Sequence, residues 1–240
     1  LGGVSGPSGR SGRTTAPGDR RPPCGRLGPM AQSRFTGRIL GVGTTSGVRI
    51  VVGIWEDSPF GSFADVMLET GSAPDGGDRL LLAPALVAPY VAQTYHFEDV
   101  RVGPVSVAER RGGPGERVSS RLRVRAAGLV LDAEIGPRTG LGLALRTVPR
   151  AVATHPHWAR AISPLASPVM PGVRTRGSAG GGRSEAYGAW DHRAVLRVRG
   201  TWQGRELGEL APLDPPVRFG FGSAPRGPSL VSVVTTVIEG

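Results

Sequence analysis

In an extended chain Leu122 and Val124 face one way while Arg121, Arg123 and Arg125 face the other. After Ala126-Ala127-Gly128 the alternation resumes, with Leu129, Leu131, Ala133 and Ile135 set against Asp132 and Glu134. Period-two alternation on both sides of a short glycine turn specifies an antiparallel hairpin with one buried face. Pairing about that turn places Arg123 opposite Asp132 and Arg121 opposite Glu134. Opposite charges then favour the same register that the apolar face requires.

The pattern recurs along the chain. Arg38 to Val42 and Val48 to Trp55 read as strands around the turn Gly43 to Gly47. Phe63 to Thr70 alternates, with Ala64, Val66 and Leu68 on one face and Asp65 and Glu69 on the other. Strands follow at Arg79 to Ala83, His96 to Val107, Ala194 to Gln203, Arg205 to Leu210, Val217 to Phe221 and Leu230 to Ile238, with a hairpin turn at Gln203-Gly204. Pro84 to Tyr95 and Pro149 to Met170 read as short helical insertions, cut by their prolines. Gly 38 and Pro 22 among 240 residues also favour many short elements over long helices. Closely spaced hairpins without repeated strand–helix alternation predict a mainly β chain, an antiparallel β-barrel or sandwich of about ten strands with two short helical insertions.

Residues 1–29 hold five arginines and one aspartate and almost nothing apolar, so they read as a disordered arm or a mis-assigned gene start before Met30. Residues 30–240 read as one β-rich domain. The arm carries +4 of the net charge of +10, which leaves +6 on the body, dispersed among apolar residues. Nucleic acid is therefore not indicated, although a structural or weak nucleic-acid-binding role is the third reading. The longest apolar run, Leu80 to Ala92, is broken by Pro84 and Pro89 and is too short to span a bilayer, so no membrane association is expected and a cytoplasmic location is.

Every basic residue is an arginine, and the chain contains no lysine and no asparagine. Schiff-base lysines, the P-loop lysine and Ser–Lys dyads are thereby excluded, as is N-glycosylation. The single cysteine, Cys24, lies in the arm, leaving the body without disulfide or thiolate chemistry. Gly41-Val42-Gly43-Thr44-Thr45-Ser46 lacks the third glycine of a dinucleotide fingerprint and leads into a strand. No G-x-S-x-G nucleophile elbow occurs. No cofactor and no metal site is expected; His155-Pro156-His157 is the nearest approach to ligand spacing.

Chemistry concentrates in Pro171 to His192, PGVRTRGSAGGGRSEAYGAWDH, which reads as a glycine-rich loop. Arg174, Arg176 and Arg183 suit a carboxylate or phosphate, and the glycine run that includes Gly181 lets backbone N–H groups turn towards an anion. Tyr187 and Trp190 offer ring surface, while Glu185, Asp191 and His192 form a candidate acid/base trio. His96 and Glu98 share a strand face and make a lesser candidate pair. The leading expectation is a small, partly apolar ligand with an anionic group, held by Arg174, Arg176, Gly181, Arg183, Tyr187 and Trp190. The alternative is a lysine-independent enzyme on a small molecule, with His192 as base and Asp191 or Glu185 assisting.

SPFGSFADVM (58–67), PGVRTRGSAGGGR (171–183) and LDPPVRFGFGSAPRGPS (213–229) resemble a family of proteins from high-GC actinobacteria that has no assigned activity. The resemblance spans Met30 to the end and brings no catalytic residues with it. By architecture alone the expected barrel is similar to lipocalin-like and acetoacetate-decarboxylase-like folds. The missing lysine rules out the decarboxylase chemistry.

Overall fold

The computed structural model describes residues 1–3, 32–71, 77–154, 176–178, 183–220 and 224–238. The chain opens with four successive antiparallel strands, β1 (Gln32–Thr44), β2 (Arg49–Asp57), β3 (Phe63–Glu69) and β4 (Arg79–Ala83). Helix α1 (Ala88–Thr94) then carries the chain to β5 (Asp99–Val102), which lies parallel to β4. Among the described residues this is the one parallel pair, and the other pairs are antiparallel. A meander follows: β6 (Ser106–Arg111), β7 (Ser120–Ala126) and β8 (Leu129–Arg138). Helices α2 (Gly140–Leu145) and α3 (Arg150–Ala153) come next, then β9 (Arg176–Ser178) and the long β10 (Ser184–Trp202). The short β11 (Arg205–Glu206) and β12 (Leu210–Ala211) precede β13 (Ser229–Ile238).

Ten strands lie in the order β5-β4-β3-β2-β1-β13-β10-β8-β7-β6, with β9, β11 and β12 paired at the side. The sheet curls so that Leu40, Val52, Leu68 and Leu82 from one half share a core with Leu122, Leu131, Ile135 and Val198 from the other. The expected mainly β architecture stands, in the form of a half-barrel. The β7–β8 register is the one charge complementarity dictates: Arg123 pairs with Asp132, Nε to Oδ1 2.6 Å, and Arg121 with Glu134. Gln203 and Gly204, both at positive φ (49° and 76°), turn β10 into β11 as the two-residue hairpin loop requires.

β1, β2 and β3 are buried on both faces, because the inner core covers one side and α1 with its flanking chain covers the other. The second core joins Ile39, Val51, Met67 and Leu81 to Val87, Ala88 and Val91 of the α1 region. Near-continuous apolar runs such as Ile50-Val51-Val52 follow from that double coverage.

Three segments differ from the sequence expectation. Ser184 to His192 is not loop: it is the first half of β10, paired with β13 on one side and in part with β9 on the other. Its charged residues obscured an alternation in which Glu185 and Tyr187 turn inwards together. Thr139 also starts α2, which the sequence reading missed; its hydroxyl accepts from the Gly142 N–H, the usual N-cap bond. Val217 to Phe221 forms no strand among the described residues. No helix among them is long and apolar enough to cross a membrane.

Candidate functional site

Alternate residues of β3, β2, β1, β13 and β10 point from the sheet towards α1. Cross-strand register aligns Asp65 with Gly53, and Phe35 with Thr235 and Tyr187. Glu185 stands opposite Val237 in an adjacent row. Tyr90, Val91 and Thr94 of α1, with Tyr95 just beyond it, close over this face and leave a cavity. Its atom-free space is about 510 Å³, part of it continuous with solvent. The enclosed cavity volume is about 40 Å³, room for a few ordered waters at roughly 10–15 Å³ each. Phe35, Ile39, Val51, Phe63 and Met67 make most of the wall apolar.

Two carboxyl groups are set in that wall. Asp65 is 3% exposed, and the Trp55 indole N–H donates to its Oδ1 at 2.9 Å, its one hydrogen bond among the described residues. Burial pushes its pKa from 3.8 up to about 7, with the Trp55 bond opposing. Gly53 makes this pairing possible. A Cβ there would stand 2.4 Å from Asp65 Oδ1 and 2.5 Å from Trp55 Nε1, so only glycine lets the two meet across it.

Glu185, 1% exposed, is the other acid. Tyr95 donates to its carboxylate at 2.9 and 3.0 Å, Tyr187 donates at 2.8 Å, and the two phenol oxygens stand 3.1 Å apart. Burial raises the Glu185 pKa, opposed by both tyrosine bonds and by the Arg183 charge. Burial likewise raises the Tyr95 phenol well above its usual value, reinforced by Tyr187 and Glu185. Thr235 is 4% exposed and its Oγ1 has no hydrogen-bond partner among the described residues, although it lines the cavity. An orphaned buried hydroxyl at such a place is a position for a ligand or water atom.

The predicted site residues divide into groups. Glu185 and Tyr187 line the cavity, and Arg183 lies beside it, donating to Thr94 Oγ1 at 3.1 Å and stacking 4.6 Å over Tyr90. Arg176 is in β9, paired with Ala186. Arg174 and Gly181 lie outside the described residues, as do His155 and His157. A bulge between Ala189 and Asp191 reverses the alternation of β10, and the trio separates there. Asp191 pairs with Arg138, at 2.9 and 3.0 Å, and with Arg193 at 3.6 Å. His192 Nδ1 meets Thr139 Oγ1 at 2.9 Å, and burial lowers its pKa while Asp191 opposes. Trp190 stacks under Arg150 at 4.3 Å. The lesser pair also separates, because Arg79 takes the Glu98 carboxylate through its Nε at 3.0 Å and lowers its pKa to about 2.

No protein-family model, curated protein or solved structure matches the chain.

Asp65, Trp55 and Tyr95 were missed from the sequence. The alternation places Asp65 opposite Ala64 and Val66, but the α1 cover that takes this face away from water is not in the local pattern. Tyr95 carried no signal, because only the path of α1 brings it to Glu185.

Proposed function

We propose that the chain is a lysine-independent enzyme. It binds a small, partly apolar carbonyl compound in the cavity under α1 and removes a proton from the carbon beside the carbonyl. The observation that carries this reading is Asp65: a carboxyl enclosed by apolar walls, oriented by Trp55, with its pKa raised to about 7. A general base is most effective when its pKa lies near the working pH. In this reading the base is Asp65 in place of His192, while Glu185 keeps an assisting role.

The step balances within the cavity. The C–H bond breaks, its proton goes to the Asp65 carboxylate, and the electron pair moves through the C–C bond to leave negative charge on the carbonyl oxygen. An aspartate base combined with neutral acidic donors in an apolar site is a known solution to this chemistry. Arg183 beside the cavity adds positive potential, in keeping with a ligand that carries or develops negative charge.

Deuterium exchange tests the proposal without knowledge of the natural substrate. Acetone, butanone and pyruvate are incubated with the protein in D2O, and loss of their α-proton signals is followed by NMR. Exchange should exceed the protein-free rate for at least one probe and rise with pH through about 7 as Asp65 ionises. Asp65→Asn should slow it by about 100-fold or more, the usual worth of a general base. Background exchange with every probe, or an Asp65→Asn variant as active as the parent, overturns the reading.

A further inference from the structure

The Tyr95, Tyr187 and Glu185 oxygens form a closed triangle, with contacts of 2.8, 2.9 and 3.1 Å along its sides. With Glu185 ionised, two phenol protons serve three contacts, and both point at the carboxylate. The Tyr95–Tyr187 contact is then left without a proton of its own. With Glu185 protonated there are three protons, and a phenol O–H is released to serve another acceptor. Such a triangle sustains one negative charge, held either by the carboxylate or by a ligand oxygen. Thr235 Oγ1, without a partner among the described residues and directly across from Tyr187, adds a further donor.

We propose that this triangle is an oxyanion-binding site, and that its ligands are small molecules whose polar atom is an oxygen able to carry negative charge, enolates and phenolates alike. The proposal rests on the cavity being a small-molecule site, as above, and does not require Asp65 to act as base. Among the described residues, the charged and titratable groups facing Glu185 are Tyr95 just beyond α1, Tyr187 of β10, Arg183 just before it and, within the same cavity wall, Tyr90 of α1 and Asp65 of β3. Arg183 favours a negative ligand oxygen; Asp65 opposes one only when ionised. The apolar rings of Phe35 and Phe63 receive the hydrocarbon part.

Phenol, para-fluorophenol and para-nitrophenol, in order of increasing acidity, are the probes. Affinity should rise along the series, because a fixed donor pair favours the oxygen with more charge. The absorbance of bound para-nitrophenol should be that of the phenolate. Tyr95→Phe should weaken para-nitrophenol by about tenfold or more, the worth of a hydrogen bond to a charged group. Tyr187→Phe gives the same readout should Tyr95→Phe fail to fold. Absence of phenol binding, binding of the neutral phenol form, or equal affinity in parent and both tyrosine variants overturns the proposal. Phenolate binding without ketone exchange would remove Asp65 as base and leave this site standing; exchange without phenolate binding would do the reverse.

Discussion

Asparagine at position 65 keeps an oxygen to accept from Trp55 and removes the titration, so Asp65→Asn isolates what the buried carboxyl costs the fold. The unfolded group loses its proton near 3.8 and the folded one near 7. Below the unfolded value both states hold the proton and Asp65 carries no penalty. Between the two values the folded state binds more protons, so stability falls as pH rises, by about 1.4 kcal/mol per unit. Above about 7 both states are ionised and the full penalty remains. The difference of about 3.2 (7 minus 3.8) converts to about 4 kcal/mol. Asp65→Asn should therefore match the parent near pH 4 and exceed it increasingly towards pH 8. In a domain of this size that corresponds to roughly 8–16 °C in melting temperature. Thermal melts of both proteins across this range make the comparison. Glu185, also raised by burial, slopes the same way but is present in both proteins and cancels in the difference. A stability difference that does not change with pH, or a variant weakened above pH 7, would refute the argument that Asp65 is a desolvated, unpaired acid.

Two further outcomes follow from the same face of the sheet. Gly53→Ala should force Asp65 and Trp55 apart, costing about 1–3 kcal/mol in stability by overpacking; denaturant unfolding reads the cost and a change in indole fluorescence reads the broken bond. Arg49 and Glu69, 2% and 0% exposed, pair at 3.2 Å, and Arg218 also binds Glu69 through its backbone N–H and Nε. Glu69→Gln should cost about 3–5 kcal/mol, because it leaves the Arg49 charge buried without its counter-ion; Arg49→Met with Glu69→Leu should recover much of that loss.

The strands were legible where alternation was the only demand on the chain. Arg121 to Ile135 alternates, turns on a glycine and balances its charges, and its register could be written down before any coordinates. Ser184 to His192 was not legible, because Glu185 and Asp191 look like solvated groups until their partners are known. Those partners, Tyr95 for Glu185 and Arg138 for Asp191, are 90 and 53 residues distant in the chain. Local pattern carries no information about contacts closed over such separations. Glu185 and Tyr187 stand out in the sequence by the density of polar groups around them, and both line the cavity. Asp65 was assigned the right face and the wrong surroundings, since what covers that face is α1, fixed by the β4–α1–β5 connection.

The double coverage of β1 to β3 explains how the fold tolerates an uncompensated acid. Val66 and Leu68 face the aliphatic inner core, while Asp65 and Met67 on the same strand face the α1 side and Glu69 follows them on that face to meet Arg49 and Arg218. Because side chains alternate, neighbouring residues on β3 belong to different physical tasks. Burial on the inner face is a stabilising sum over many aliphatic side chains, each contributing about 1.5–3 kcal/mol. That sum is large enough to absorb a penalty of about 4 kcal/mol at Asp65. The penalty is also what makes the group useful, since the desolvation that destabilises the ionised carboxylate holds its pKa near 7 and makes it a stronger base than an exposed aspartate. The stability that Asp65→Asn should gain and the exchange activity it should lose are thus two readings of one free energy.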